Sequence, residues 1–432
     1  MYESPEQANN EGMSNLRAPQ GDAGSARHFP ADFLFGAATA AGQSDGAADD
    51  VALMSEIGLQ AYRFSSSWAR VCPSGGPPEP RHIDAYSRLV DELLSAGVMP
   101  WLTLYRGELP QPLAERGGWA NRDTAHRFAD YASGLHAALG DRVPVWLTLG
   151  EPWGPGGLDL AEGPAAPHHR LLAHGLAAEA LREQDSEIRL GVTLNLTAAL
   201  PADPRSAGDL DAARRVDAQF NRASLDPIFR ASYPEDFLED AAGIRLQQHV
   251  HAGDLEKIAQ PIDLLGVNYY LGATASEPAG APPTPGVGDP TRMPSPPLPW
   301  SPLTAIDWAV RPDGLRETLV QVEAEYTGPA HVELFVTENG AVTDDTVEPD
   351  GVVDDAERTA FLRAHLGAVL DAEATGVDVR GYFYCSLLDT AEAVQSAEGC
   401  SGLVHLDQSG RRTLKRSGSE YRHIIAARAL SA

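Results

Sequence analysis

Apolar β-rich runs alternate with amphipathic segments along most of the chain. The runs are Phe33–Ala40, Ala61–Ser65, Val98–Tyr105, Val145–Leu149, Arg189–Asn195, Ile262–Tyr269, His331–Thr337 and Val379–Ser386, eight in all. Helical spacing fills the intervals at Asp49–Ile57, His82–Ser95, Asn121–Leu139, His168–Glu183, Asp209–Ala223, Gly314–Tyr326 and Ala356–Thr375. The runs are continuously apolar rather than alternating, as expected of strands buried on both faces of a helix-covered parallel sheet. Eight such units predict an α/β protein built as a single (β/α)8 TIM barrel. An open doubly wound sheet or two α/β domains is the alternative. Against it, no linker or composition break divides the chain, and Phe35-Gly36-Ala37-Ala38 lacks the dinucleotide-binding spacing.

In a barrel the chemistry sits at the C-terminal ends of the strands. Those ends carry Gln43, Arg63, Tyr105, Glu151, Asn195, Asn268 with Tyr270, Glu338, and Asp389 with Glu392. So many polar groups after buried runs predict a lined pocket. Two of the ends, Gly150-Glu151-Pro152 and Thr337-Glu338-Asn339-Gly340, offer a pair of carboxyl groups. The segment Gly272–Pro302 follows the sixth run without helical or strand period and reads as a rim loop or a disordered insertion.

Composition narrows the partners. The chain has 432 residues, 43% hydrophobic content and a formal net charge of −28. That charge argues against nucleic acid or an anionic membrane, and leaves a small molecule as the expected partner. No apolar stretch is long enough to span a bilayer. Residues 1–27 read as a disordered polar leader without a signal peptide, so the barrel is expected over 28–432 and the location is expected to be cytoplasmic. Three cysteines, Cys72, Cys385 and Cys400, are too few for a disulfide framework, and Cys385 and Cys400 read as packed thiols. His168, His169 and His174 offer no convergent ligand set, so neither a metal nor a cofactor is expected.

The motifs resemble those of family 1 glycoside hydrolases, from about Phe29 to Ile425. The strings that carry the resemblance are FPADFLFGAATAAGQSDGA, DVALMSEIGLQAYRFSSSWARV, LYRGELPQPL, WLTLGEPW, LLGVNYY, VTENGA and GYFYCSLLDTAE ahead of GLVHLD. The resemblance implies a retaining β-glycosidase on a (β/α)8 barrel, with Glu151 as acid/base and Glu338 as nucleophile. In such a mechanism the two carboxyl groups stand about 5–5.5 Å apart. It further implies that Arg63 and Tyr270 flank the nucleophile, that Gln43 and Glu392 bind hydroxyls, and that Trp308 lines the pocket.

The sugar-reading positions depart from the family. Tyr105-Arg106-Gly107-Glu108 stands where members carry Tyr-His-Trp-Asp, so Arg106 replaces a hydroxyl-binding histidine. Gly150 replaces the asparagine that holds the 2-hydroxyl, Cys385 a platform tryptophan and Ala393 a second tryptophan, with Thr390-Ala391 between. The loops after Gln43 and after Trp153 are also short. The expectation is therefore an atypical glycoside, a deoxysugar or one with a bulky natural-product aglycone. The alternative is a barrel recruited to non-hydrolytic acid/base work on a non-sugar ligand: cyclisation, elimination or isomerisation.

Overall fold

The computed structural model describes residues 26–39, 48–150, 162–277, 305–349, 351–389, 400–407 and 409–431. Eight strands close into a barrel: β1 (Leu34–Ala38), β2 (Ala61–Ser65), β3 (Met99–Tyr105), β4 (Val145–Gly150), β5 (Arg189–Asn195), β6 (Leu264–Asn268), β7 (Glu333–Asn339) and β8 (Val379–Cys385). They run in chain order around the barrel and every neighbouring pair is parallel. All eight apolar runs thus become barrel strands, which rules out the open sheet.

The longer helices among the described residues are α1 (Ala48–Ile57), α2 (Pro80–Ser95), α3 (Asp123–Leu139), α4 (Ala166–Gln184), α5 (Ala207–Asp217), α6 (Pro312–Val322), α7 (Ala356–Glu373) and α8 (Arg416–Ala427). Each falls on or beside a segment of helical spacing, apart from α8, which that spacing did not single out. The main core lies between these helices and the strands. A second apolar cluster fills the barrel itself. There Trp101 packs against Phe335 and Phe383 at 5.0 and 4.8 Å between ring centroids. Aromatic rings of that size need glycine on the neighbouring strand: a Cβ on Gly36 of β1, paired with Phe383 of β8, would stand 2.5 Å from the Phe383 ring. The interior is packed rather than hollow, so the pocket belongs to the strand ends.

Two expectations are corrected. Gly272–Ser276, read as part of a segment without strand period, pairs antiparallel with Ala305–Ala309 and beside Ala199–Pro201. Its Gly-Ala-Thr-Ala-Ser sequence is too weakly apolar to register as a strand, yet it is held by backbone pairing; residues 278–304 lie outside the described residues. Arg27, assigned to the leader by composition, pairs with Leu430 next to His28 and Ala429. Residues 1–25 lie outside the described residues. No helix among the described residues is long and apolar enough to cross a membrane.

Candidate active site

Glu338 sits at the end of β7, fully buried. Its neighbours in sequence fix the strand end. The Thr337 hydroxyl donates to Asn268 Oδ1 at 2.9 Å on β6. The Asn339 amide donates to the Tyr269 carbonyl at 2.6 Å, and its Oδ1 accepts from the Tyr382 hydroxyl at 2.7 Å on β8. The Tyr269 N–H in turn donates to the Glu338 carbonyl at 2.9 Å. Both flanking residues are therefore spent on scaffolding, and the carboxylate between them is left facing the barrel mouth.

Three side chains converge on that carboxylate. Arg63, from β2, donates to Oε1. Arg106, just past β3, donates from Nη1 to Oε1 at 2.8 Å and from Nη2 to Oε2 at 3.1 Å, a two-pronged fork. The Tyr270 hydroxyl donates to Oε2 at 2.5 Å. Burial alone would raise the Glu338 carboxyl, but the Arg106 and Arg63 guanidiniums and the Tyr270 hydroxyl outweigh it, holding it down at about 2. The carboxylate is anionic throughout the neutral range.

Arg63 is itself held in place. Its Nε donates to Thr103 Oγ1 at 3.0 Å, and its Nη groups reach the Thr337 carbonyl at 3.4 Å and Thr193 Oγ1 at 3.5 Å. Thr103 and Thr193 are fully buried. Sequence reasoning did not single out these threonines. Their signal was a hydroxyl inside an otherwise apolar barrel strand, which must find a partner indoors.

The sequence-predicted residues fall into three groups. Glu338, Arg63, Arg106, Tyr270 and Asn268 come together. Trp308 stands beside them: with Phe220 it lines a small cavity shared by Asn195, Asn268 and Tyr270, the two rings 5.3 Å apart. Tyr105 sits behind the turn that follows β3. It is buried among Trp68, Trp119 and Phe128, donates to the Gly107 carbonyl at 2.8 Å and accepts from Trp119 Nε1 at 2.9 Å. Its work is to brace the turn that carries Arg106. Gln43, Glu151 and Glu392 lie outside the described residues, as do Thr390, Ala391 and Ala393. Gly150, one residue before Glu151, ends β4 where an added Cβ would meet Arg63, Thr103 and Thr193 at 3.5–3.6 Å, ordinary contact. A methyl group would fit there without a clash, so packing against these three residues does not by itself demand glycine.

The remaining candidate groups have other work. Burial pushes the Cys385 thiol up to about 12, with the Glu338 charge adding to it, so it stays protonated and is no nucleophile. His168 meets Asp254 and the Tyr233 hydroxyl at 2.9 and 3.0 Å, His169 the Trp119 carbonyl at 2.9 Å, and His174 the Thr148 hydroxyl at 2.7 Å. The three rings face separate partners. Asp345, Asp389 and Cys400 approach one another, but the Lys415 ammonium already sits on both carboxylates, at 2.5 and 2.6 Å. Asp389 is thereby a structural group rather than a pocket wall.

The profile of Glycosyl hydrolase family 1 matches residues 47–430. The chain belongs to that family. The thermostable β-glucosidase B of Thermobispora bispora is 40% identical over 462 aligned positions, covering 94% of this chain and 93% of the relative. That alignment is longer than this chain, so the relative carries segments that the present family 1 member lacks. A bifunctional β-D-glucosidase/β-D-fucosidase of Bifidobacterium breve is 39% identical, covering 92% of this chain and 98% of its own. Among solved structures, a psychrophilic β-glucosidase from Micrococcus antarcticus superposes with TM-score 0.82 at 42% identity, covering 93% of this chain and 98% of that one. The family 1 β-glucosidase of Thermotoga maritima gives TM-score 0.81 at 30% identity, with 95% and 100% covered. This chain is a glycoside hydrolase by family, and the family's fold is the barrel described above.

Proposed function

We propose that the protein is a retaining β-glycosidase that works by double displacement on an atypical small glycoside in the cytoplasm. Glu338 is the nucleophile and Glu151 the acid/base. The observation that carries this reading is a buried, ionised carboxylate at the mouth of the barrel, flanked by Arg63 and Tyr270. A carboxylate held anionic is primed to attack an electrophilic carbon rather than to donate a proton. The names of the relatives, β-glucosidase and β-fucosidase, support a β-linked sugar as substrate.

The glycone is not expected to be ordinary glucose. Arg106, Gly107, Gly150, Cys385 and Ala393 remove hydroxyl-binding and platform groups from the positions that carry them in the family. A site built to bond hydroxyls loses discrimination when those partners are missing. The lack of a side-chain hydrogen-bonding group at Gly150 suits a sugar with nothing to bond at position 2, and the short loops suit a bulky aglycone.

The test is covalent trapping. A 2-deoxy-2-fluoroglycosyl fluoride should add its sugar to the peptide holding Glu338, read by mass spectrometry, and Glu338→Gln should lower turnover of activated aryl glycosides by about 10³-fold or more. Failure to label Glu338, with no turnover across aryl glycosides and 2-deoxyglycosides, would sink the proposal. It would favour the second reading, in which Arg106 stabilises an oxyanion during acid/base work on a non-sugar ligand.

A further inference from the structure

Strands β5 and β6 run side by side, and their last residues, Asn195 and Asn268, are register partners. Neighbouring strands lie about 4.8 Å apart, so the two side chains leave the sheet as close neighbours. Both line the small cavity beside Tyr270, whose hydroxyl rests on Glu338. Asn268 is 1% exposed, and its Oδ1 is taken by the Thr337 hydroxyl. Its Nδ2 is therefore the end that faces the cavity. Asn268 Nδ2 and Asn195 Oδ1 are both buried, and neither bonds any group among the described residues. A buried donor beside a buried acceptor, each unpaired, is costly unless something bridges them.

The walls of this site are held from behind. The Leu196 N–H donates to the Asn268 carbonyl at 3.0 Å, and the Thr197 hydroxyl to the Leu271 carbonyl at 2.7 Å. The Asn221 amide clasps Thr197 on both sides, accepting from its N–H at 3.0 Å and donating to its carbonyl at 2.9 Å. Asn221 belongs to a single wide helical turn, Ala218–Arg222, that continues from α5. Wide turns of this kind recur at functional sites. Here the turn sets Phe220 edge to face against Trp308 along the cavity. Asn195, Phe220 and Trp308 are only half-buried, so the site is not sealed from solvent.

The cavity has room of about 20 Å³ for the centre of a water-sized group, enough for one heavy atom. That atom has to accept from Asn268 Nδ2 and donate to Asn195 Oδ1. A hydroxyl does both. A carboxylate or sulfate oxygen has no proton for Asn195, and an ammonium has no lone pair for Asn268. We propose that the Asn195 and Asn268 amides clamp one neutral hydroxyl of the substrate, with Phe220 and Trp308 as an apolar edge for the carbon that carries it. Asn195 is thereby a specificity-determining residue. The inference rests on the glycosidase reading and adds to it the group that the substrate presents at the β5–β6 edge. A site built to bond a hydroxyl rejects the analogue that lacks it, because its own polar groups are then left unpaired.

The experiment compares the wild type with Asn195→Leu, which keeps the shape without the amide, and Asn195→Asp, which keeps an acceptor oxygen. Each is assayed on pairs of glycosides that differ by one hydroxyl. One arm sets 4-nitrophenyl β-D-glucoside against its 3-, 4- and 6-deoxy analogues. The other sets the hydroxymethylphenyl β-D-glucosides against the corresponding methylphenyl glucosides. The readout is the ratio of kcat/KM within each pair; comparing that ratio between proteins cancels the intrinsic reactivity of the substrates. For one hydroxyl in the panel the wild-type ratio should be about tenfold higher than that of Asn195→Leu, and Asn195→Asp should keep part of the difference. The arm in which it falls assigns the hydroxyl to the sugar or to the leaving group. A general loss of structure would lower every member of the panel alike and leave the ratios unmoved. Unmoved ratios in both arms overturn the clamp and leave the cavity to a water molecule. Should Asn195→Leu fail to fold, Asn195→Ala is read in the same way. Absence of turnover on every glycoside counts against the glycosidase reading instead, and calorimetric Kd ratios for the same pairs then decide the clamp.

Discussion

Glu338 shows how a buried carboxylate stays charged: two guanidiniums and a phenol overcome the cost of burial. Its folded pKa, about 2, lies below the ordinary glutamate value, so its ionisation favours the folded state at neutral pH. That contribution is fully present above the unfolded value near about 4.3 and is lost as pH falls towards the folded one. The acid limb of kcat/KM is accordingly set elsewhere in the wild type. Arg106→Gln removes the larger of the two cationic contributions and raises the Glu338 carboxyl, so the acid limb should move to higher pH; an unmoved profile would mean that Arg106 does not act on this carboxylate. Arg63→Ala should cost about 3–5 kcal/mol, since it leaves a buried charge short of a partner. Adding Glu338→Gln to that variant should return part of the loss, measured by urea unfolding of the four proteins of the cycle. In the sequence, the strings around Arg63, Asn268, Tyr270 and Glu338 were enough to single out those residues. The Arg106 fork was not legible, because it joins residues 232 apart through side-chain reach alone. The packing of Tyr105 was not legible for a related reason. Trp101 and Thr103 point into the barrel, and strict alternation would send Tyr105 the same way, but at this last residue of β3 the ring packs among Trp68, Trp119 and Phe128 instead.

At the scale of elements, strands buried on both faces announce themselves as unbroken apolar runs, which is why all eight were readable. The sheet of Ala199–Pro201, Gly272–Ser276 and Ala305–Ala309 was not, because small residues and backbone pairing leave little pattern. The close approach of β7 and β8 beyond Glu338 is a second feature that only the structure supplies. A Cβ on Gly340 would stand 1.7 Å from the Cys385 carbonyl oxygen, which is backbone and cannot swing away. Gly340→Ala should therefore push the two strand ends apart, cost about 3 kcal/mol and lower activity by displacing Glu338. Gly243→Ala is the matched control. Its Cβ would meet nothing within 4 Å and its φ is not left-handed. It should change stability by no more than about 0.5 kcal/mol. Urea unfolding and aryl glycoside turnover of the two variants check both halves, and similar behaviour in the pair would refute the clash.

Over the whole molecule, closure depends on a buried ionic network that composition could not reveal. A net charge of −28 says that carboxylates are in excess, not where the cations go. Lys415, at the N-terminal edge of α8, sets its ammonium on Asp345 beyond β7 and Asp389 beyond β8. Arg358 of α7 adds a second cation on Asp345 at 2.8 Å and bonds Asp355 at 2.6 Å, and Asp355 accepts from the Ser417 N–H at 2.8 Å. The last two strand–helix units and the final helix are thus fastened together by charge rather than by apolar contact alone. The Lys415 and Asp389 side chains are both 0% exposed, so solvent does little to screen this pair. Lys415→Met keeps most of the volume and deletes the charge. Asp345 then retains Arg358, but Asp389 loses its ammonium and keeps the Gly402 N–H at 2.9 Å, the His405 ring at 3.1 Å and the Cys400 thiol. The variant should lose about 3–5 kcal/mol, the usual consequence of breaking one side of a buried pair. Asp389→Asn in the same background should return part of it, because the orphaned charge and not the missing volume is the cause. A drop in urea midpoint that Asp389→Asn fails to relieve would mean that packing, not charge, holds the barrel's last two units to its end.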